Sequence, residues 1–476
     1  MTTGAITPKL VTLAWPLVAG NLLQTFYNLA DMFWVGRVGP TAVAAVSLMF
    51  PTSWLFVSLG MGLTAGAVAL VSQHVGADED RAAETVVAQT MLLAVALGVV
   101  LAVVGYVGRV PFLTALGARG GVYADAMAYF RVMLLSIPFT FLFFSFRASL
   151  RAAGDTRTAM WLVVLSAGVN VALDPFLVLG WGPFPHLGTE GAAIATLFSR
   201  LLAAVAGVAV LLRGNRGIRL LLADLTPDPV VLRRLVAVGF PATLDGAARS
   251  VAAVAMVALV ARFGPVATAA YGIGVRMMSV SWTVSGAVGQ AAATGVGQNL
   301  GARTPDRAAS VTWTATAGTM VLLFAAGAVV FAVPAPFMRV FIADADVVAA
   351  GVHLLRIIAP FWAFLGGLMV LQGAFRGAGQ TTVSMALSVL SRWLLRLPVA
   401  FALAYALSWG TAGLWWSLSI SGVLAFTVGV GWFRSGGWRE GVLERPSARV
   451  GAAGGHPDAD VDVDDDSGGD AATTDD

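Results

Sequence analysis

The residues best equipped for chemistry in this sequence are carboxylates placed where carboxylates are expensive. Asp31 stands in NLADMFWVGRVG (28–39), with no other charge between it and Lys9, and Asp174 stands in NVALDPFLVLG (170–180). An ionised Asp at the centre of a membrane helix costs roughly 2.5 to 3.5 kcal/mol even on the lenient insertion scale, so it is expected to face a bundle interior or water. Asp31 lies about 33 Å of helix beyond Lys9, and Asp174 about 25 Å beyond Arg157, which sets both in the outer half of the amino-terminal part. Asn170 is four residues before Asp174 and shares its helix face, while Thr196 lies about one and a half turns into a span that enters from outside. Four oxygen-bearing side chains therefore reach similar depth. Pro175 has no N–H for the Val171 carbonyl, which frees that oxygen as well. Such oxygens suit H⁺ or Na⁺ and not a soft metal, and two crowded carboxylates titrate as a pair. The competing reading is that Asp31 and Asp174 only cap or hydrogen-bond neighbouring helices.

A second set looks different. Asp245 precedes Arg249 by four residues, and Arg276, Arg392 and Arg396 add further cations inside apolar stretches. An internal Asp245–Arg249 ion pair is one reading of this set, and a polar lining for a cleft is the other. Pro16 and Pro241 occupy equivalent places as candidate hinges, and Pro51, Pro138, Pro360 and Pro398 interrupt other spans; each removes a backbone hydrogen bond and permits bending.

Much chemistry is excluded. Lys9 is the only lysine beside 28 arginines, and there is no cysteine. No Walker, Schiff-base or pyridoxal lysine is available within a span, nor any thiolate metal site. His74, His186, His353 and His456 show no ligand spacing. GMGLTAG (60–66) and GVGQNLG (295–301) sit in apolar helices, where small residues serve close packing rather than phosphate binding. No nucleophile or metal constellation is visible. An enzyme and an organic cofactor are not expected, and nothing calls for nucleic acid.

The elements that must hold these residues are membrane helices. Of 476 residues 58% are hydrophobic and 12% charged, with a mean hydropathy of +0.82, so the lipid bilayer is the first partner. Apolar runs long enough to cross about 30 Å of hydrocarbon occur near 10–36, 41–72, 82–108, 122–151, 157–180, 190–213, 230–262, 266–298, 307–333, 347–376, 380–406 and 411–434. Continuous rather than alternating runs exclude a barrel. The amino terminus lacks a signal-peptide pattern, so the first span is expected to be kept. With that terminus inside, the inner connectors collect 17 basic residues against Arg37, Arg109, Arg119, Arg262 and Arg339 outside, which places both termini in the cytoplasm of a multi-pass plasma-membrane protein.

The chain also repeats itself. LVTLAWP (10–16) returns as LVAVGFP (235–241), QHVGADEDRAAE (73–84) as QNLGARTPDRAAS (298–310), SLRAAGDTRT (149–158) as AFRGAGQTTV (374–383), and LGTEG (187–191) as WGTAG (409–413). Six spans per repeat give both copies the same orientation, hence a pseudo-twofold along the membrane normal. The expected architecture is an all-α integral membrane protein of twelve transmembrane helices in two six-helix lobes, 1–213 and 230–435, around a central cleft. A cytoplasmic linker, 214–229, joins the lobes. A disordered acidic tail, 436–476, follows, with nine aspartates in its last twenty residues.

These segments, with the early proline, the NLADMFWVGRVG stretch and the duplication, resemble the multidrug and toxic compound extrusion (MATE) family over residues 8 to 435. The resemblance implies export of organic, mostly cationic compounds in exchange for H⁺ or Na⁺, by a monomer. In the archaeal and DinF-type branch it implies a first-lobe cation site at Asp31, Asn170, Asp174 and Thr196, with Pro16 on a helix that bends. In the NorM-type branch an acidic site lies in the second lobe; Asp245 falls about one turn off that pattern, and the tenth span, LRIIAPFWAFLGGLMVLQGAF, holds no acid. The first lobe is favoured. A lipid-linked saccharide flippase of the same superfamily is the rival, because it would want cationic side chains in its cleft for a pyrophosphate.

Overall fold

In this computed structural model, residues 1–214 and 217–443 are described, and among them every regular element is helical. The first lobe contains α1 (Ile6–Gly36), α2 (Pro40–Gly76), α3 (Asp80–Ala115), α4 (Gly120–Ala153), α5 (Thr156–Leu179) and α6 (Thr189–Arg213). The second begins with α7 (Pro229–Ala261), α8 (Pro265–Gly301), α9 (Pro305–Ala332) and the short α10 (Pro334–Arg339). Its next span is α11 (Ala345–Ile358) joined to α12 (Trp362–Gly377) by a 3₁₀ turn. Then come α13 (Thr381–Val389) and α14 (Leu397–Phe401), with π-helical stretches at Leu390–Arg396 and Ala402–Ala406, and finally α15 (Thr411–Arg434). Eleven of the resulting spans are long and apolar enough to cross a membrane. The twelfth, α8, has 37 residues and is more polar because it lies between the lobes instead of against lipid.

Local sequence explains where helices start. Gly39-Pro40 and Gly264-Pro265 open α2 and α8, each with a glycine at positive φ and a proline at the first helical position, where its missing N–H costs nothing. Asp155, Asp228 and Asp344 cap α5, α7 and α11 by accepting from backbone N–H groups at 2.8–3.2 Å. The prolines divide into two kinds. Pro16, Pro51, Pro138 and Pro241 lie inside continuous helices, whereas Pro360 marks the 3₁₀ turn and Pro398 sits between the two π stretches. Outward-facing valines such as Val103, Val254 and Val321 are exposed, as expected for helices whose solvent is lipid.

The lobes meet at one end, the end bearing the amino terminus and the inter-lobe connection. Here the duplication becomes geometry. A Cβ at Gly76 would collide with the carbonyl oxygen of Gln298, and one at Gly301 with that of Gln73, so the two glycines 225 residues apart make the same contact in reverse. Gln73 donates to the Gly377 carbonyl (3.1 Å), and Gln298 to the Ala152 carbonyl (2.9 Å). The first half of α1, through Leu10, Leu13, Ala14 and Leu17, packs on Ala287, Ala291, Val311 and Ala315 of the second lobe. Farther along, Gly246 still abuts Ser58, and past that level α1 packs on α5 of its own lobe. The cleft thus opens away from the sealed end.

The connection is tied down. Gln89 of α3 donates to the carbonyls of Asp224 and Thr226 (2.7 Å each) and accepts from Asp228 N–H (2.9 Å). Arg81 grips the Asp224 carboxylate with two bonds, one of 2.6 Å, and this hydrogen bonding holds Asp224 below the usual carboxylate range. The tail differs from expectation at its start. Within 436–443, Trp438 is buried and stacked on Phe433 (4.3 Å) and Val442 is buried against the sealed end, because two large apolar side chains there find apolar cover. The acidic remainder expected to be disordered lies outside the described residues.

Candidate functional site

Three helices each bring two polar residues, four apart, to one place in the first lobe. The second half of α1 carries Tyr27 and Asp31, α5 carries Asn170 and Asp174, and α6 carries Thr196 and Arg200. Spacing of four stacks each pair on one face, and α5 packs between α1 and α6. Asn170 and Asp174 are fully buried. The Asn170 amide satisfies both neighbours when its oxygen faces Thr196, accepting from the Thr196 backbone N–H (3.0 Å) and hydroxyl (3.3 Å), and its nitrogen donates to Asp174 Oδ2 (3.3 Å). The Tyr27 hydroxyl shares a hydrogen bond with the Thr196 hydroxyl (3.3 Å).

What is left over matters more. Asp31 Oδ1 and Asp174 Oδ1 are both shut off from solvent with no hydrogen-bond partner. Asp31 lies within electrostatic range of Asp174, Tyr27 and Tyr129. Neither carboxylate is in a salt bridge among the described residues. Orphaned carboxylate oxygens beside hydroxyls and an amide form a donor set that fits a proton or a hard monovalent cation. The described residues contain no group of three or more His, Cys, Asp or Glu that could hold a metal.

The structure thus gathers all four expected residues, Asp31, Asn170, Asp174 and Thr196, and adds Tyr27, Tyr129 and Arg200, which sequence reading passed over. Tyr27 had a signal in its position four before Asp31. Arg200 covers the pocket from below, its guanidinium over the Phe143 ring (4.3 Å) and near Gln24 Oε1 (3.5 Å). Pro16 lies about three turns of α1 deeper than Tyr27, the first polar residue of the pocket, on the stretch that contacts the second lobe. Pro241 lies in α7 next to Gly239, which abuts the Gly62 carbonyl.

In the second lobe Asp245 and Arg249 form a bidentate ion pair, at 2.9 Å from Nε and 2.6 Å from Nη2. Arg249 also reaches Gln372 (3.4 Å), Arg392 donates to Ser388 (3.0 Å), and Arg396 donates to Ser421 (3.3 Å). Arg276 is exposed, on the same face of α8 as Ala287, Ala291 and Thr294, which meet the first lobe nearer the sealed end.

The family model described as MatE matches residues 16–176 and again 241–402, once per lobe. The chain belongs to the MATE family. It is 29% identical to the probable multidrug resistance protein YoeA of Bacillus subtilis, over 84% of this chain and 87% of that protein. It is 26% identical to the probable multidrug resistance protein NorM of Thermotoga maritima, over 92% of this chain and 95% of that one. Among solved structures, an outward-facing multidrug resistance MATE transporter of the MOP superfamily has a TM-score of 0.84 at 24% identity, covering 91% of this chain and 98% of its own. The protein is accordingly a multi-pass membrane transporter of a multidrug efflux family, not an enzyme. All twelve MATE helices have counterparts here.

Proposed function

We propose that this MATE transporter is an antiporter that exports organic compounds by alternating access, driven by H⁺ or Na⁺ taken up at Asp31 and Asp174. The observation that carries the reading is the pair of buried carboxylate oxygens without partners, set beside Asn170, Thr196 and Tyr27. The lobes 1–213 and 230–435 are the moving bodies, with the sealed end and both termini cytoplasmic. Helix α1 links ion to motion. Its pocket half packs on α5 and its other half on the second lobe, with Pro16 in the latter, so a cation that draws Asp31 toward Asp174 pulls on the inter-lobe seal. Coupling requires only that ion and cargo favour opposite states. The Asp245–Arg249 pair is neutralised internally, which leaves the first lobe as the place for the driving ion.

The test is transport in proteoliposomes under separately imposed H⁺ and Na⁺ gradients. One of the two should drive uphill export, and Asp31→Asn or Asp174→Asn should abolish that driving. Equal uphill export by the variants would refute the site.

Flipping of a lipid-linked saccharide is the second reading, favoured by arginines at the lobe boundary. A fluorescent lipid-pyrophosphate protected from quenching in proteoliposomes distinguishes it, because the antiporter reading predicts no flipping without an ion gradient.

A further inference from the structure

The pocket of carboxylates accounts for the ion but leaves a conspicuous row of arginines without work. Arg151 and Arg376 are the same position in the two repeats, 225 residues apart, and they face one another across the pseudo-twofold within electrostatic range. On the first-lobe side Arg147, one turn from Arg151 on α4, continues the row toward Arg200. On the second-lobe side Arg376 is close to Arg249, and Arg392 is close to both Arg249 and Arg396. The row crosses from one lobe to the other. Arg151 bonds Gln290 of α8, and its backbone carbonyl accepts from Thr294 (3.3 Å), so it stands at the boundary itself.

Counter-charge is scarce. Asp245 is the carboxylate within range of Arg376 and Arg392, and Arg249 occupies both its oxygens. The other partners are neutral: Gln290 for Arg151, Ser388 for Arg392, and the Phe143 ring for Arg147 at 5.3 Å. Arg151 Nε is buried with no partner. Except for Arg200 the side chains are half-buried, as befits a cleft floor and not a filled core. Like charges this close repel at the reduced dielectric of such a site, and an organic cation entering the cleft would add to that repulsion. A carboxylate or phosphate relieves it, since guanidinium groups meet such oxyanions in bidentate fashion.

We propose that the central cleft receives an organic anion, a carboxylate- or phosphate-bearing molecule seated on Arg147, Arg151, Arg376 and Arg249, in place of the cationic compounds that family resemblance suggests. This deepens the transporter reading and rests on its two-lobe cleft, but it makes no use of the coupling ion. The same oxyanion chemistry is offered by soluble organic anions and by acidic lipid headgroups.

Equilibrium binding to the full-length protein in neutral detergent, without any gradient, tests it apart from coupling. Carboxyfluorescein and rhodamine 123 share a ring system and differ in charge, and fluorescence anisotropy reads both. Carboxyfluorescein should bind at least tenfold more tightly, lose several-fold in affinity between 50 and 500 mM NaCl, and lose tenfold or more in Arg151→Gln/Arg376→Gln. Wild-type salt dependence keeps the test decisive if that variant folds poorly. Competition by added phosphatidylglycerol would identify a lipid headgroup as the natural occupant, and indifference to it a soluble anion. Tighter binding of rhodamine 123, or carboxyfluorescein binding that neither salt nor the variant alters, would overturn the proposal, while failure of ion-driven export alone would leave it standing.

Discussion

The two lobes share one frame and hold opposite electrostatics. Asp31 in the first lobe corresponds to Met256 in the second, a fixed 225 residues on, and Met256 is buried in an apolar cluster with Val260, Tyr271 and Leu354. Asp245 and Arg249, in turn, correspond to Gly20 and Gln24. One copy keeps carboxylates without cations; the other keeps an acid locked to its arginine and several arginines besides. A duplicated scaffold can therefore divide labour, because the helix packing depends on small residues at shared positions while the polar residues are free to diverge. An orphaned carboxylate is a cost that folding alone would remove, and among the described residues such carboxylates occur in the first lobe only, which is the asymmetry the proposed coupling role uses.

The largest effect should come from treating the two acids alike. Asp245→Leu strands Arg249 half-buried and should cost about 3 kcal/mol, whereas Asp31→Leu copies the apolar choice of the second lobe and should cost nothing or raise stability. Melting in detergent micelles compares them, and equal losses would erase the distinction. Next comes the seal, where the lobes should behave as equals. Gly76→Val and Gly301→Val each force a side chain against a backbone carbonyl and should lose similar amounts, about 2 kcal/mol; a clearly one-sided result would break the twofold description. Smaller still is Tyr27→Phe, which deletes the hydroxyl on Thr196 and should cost about 1 kcal/mol and weaken binding of the coupling ion several-fold, while Ala252, the corresponding residue of the second lobe, tolerates a change to Ser without altering ion binding. The smallest concerns the connection. Asp224 is held below the usual carboxylate range by Arg81, so its contribution is complete above the ordinary Asp value and fades as pH falls through the lowered one. The stability gap between wild type and Asp224→Asn should shrink as pH is taken from 7 to 3, and a gap that widened would reverse the sign.

The fold was legible because membrane length and apolar run length match, and because the repeat declares itself in LAWP/VGFP and RAAG/RGAG. Asp31, Asn170, Asp174 and Thr196 were legible because a charge in an apolar run is costly and spacing of four defines a face. The arginine row was not. Arg147, Arg151 and Arg376 count in sequence as inner-connector charges, and they do lie near helix ends, but a tally of charges carries no information on which face of α4 or α12 they occupy. Tyr129 was hidden for another reason, since only the packing of α4 on α5 and α6 brings it near Asp31. Trp438 and Val442 were absorbed into an acidic tail whose average composition concealed them.

The central claim is that Asp31 and Asp174 couple an ion to movement and do nothing else indispensable. Reconstituted Asp31→Asn/Asp174→Asn tests it most directly when passive exchange of labelled cargo across the membrane and gradient-driven accumulation are measured on the same vesicles. The account predicts that exchange persists and accumulation vanishes; accumulation at the wild-type level would contradict it.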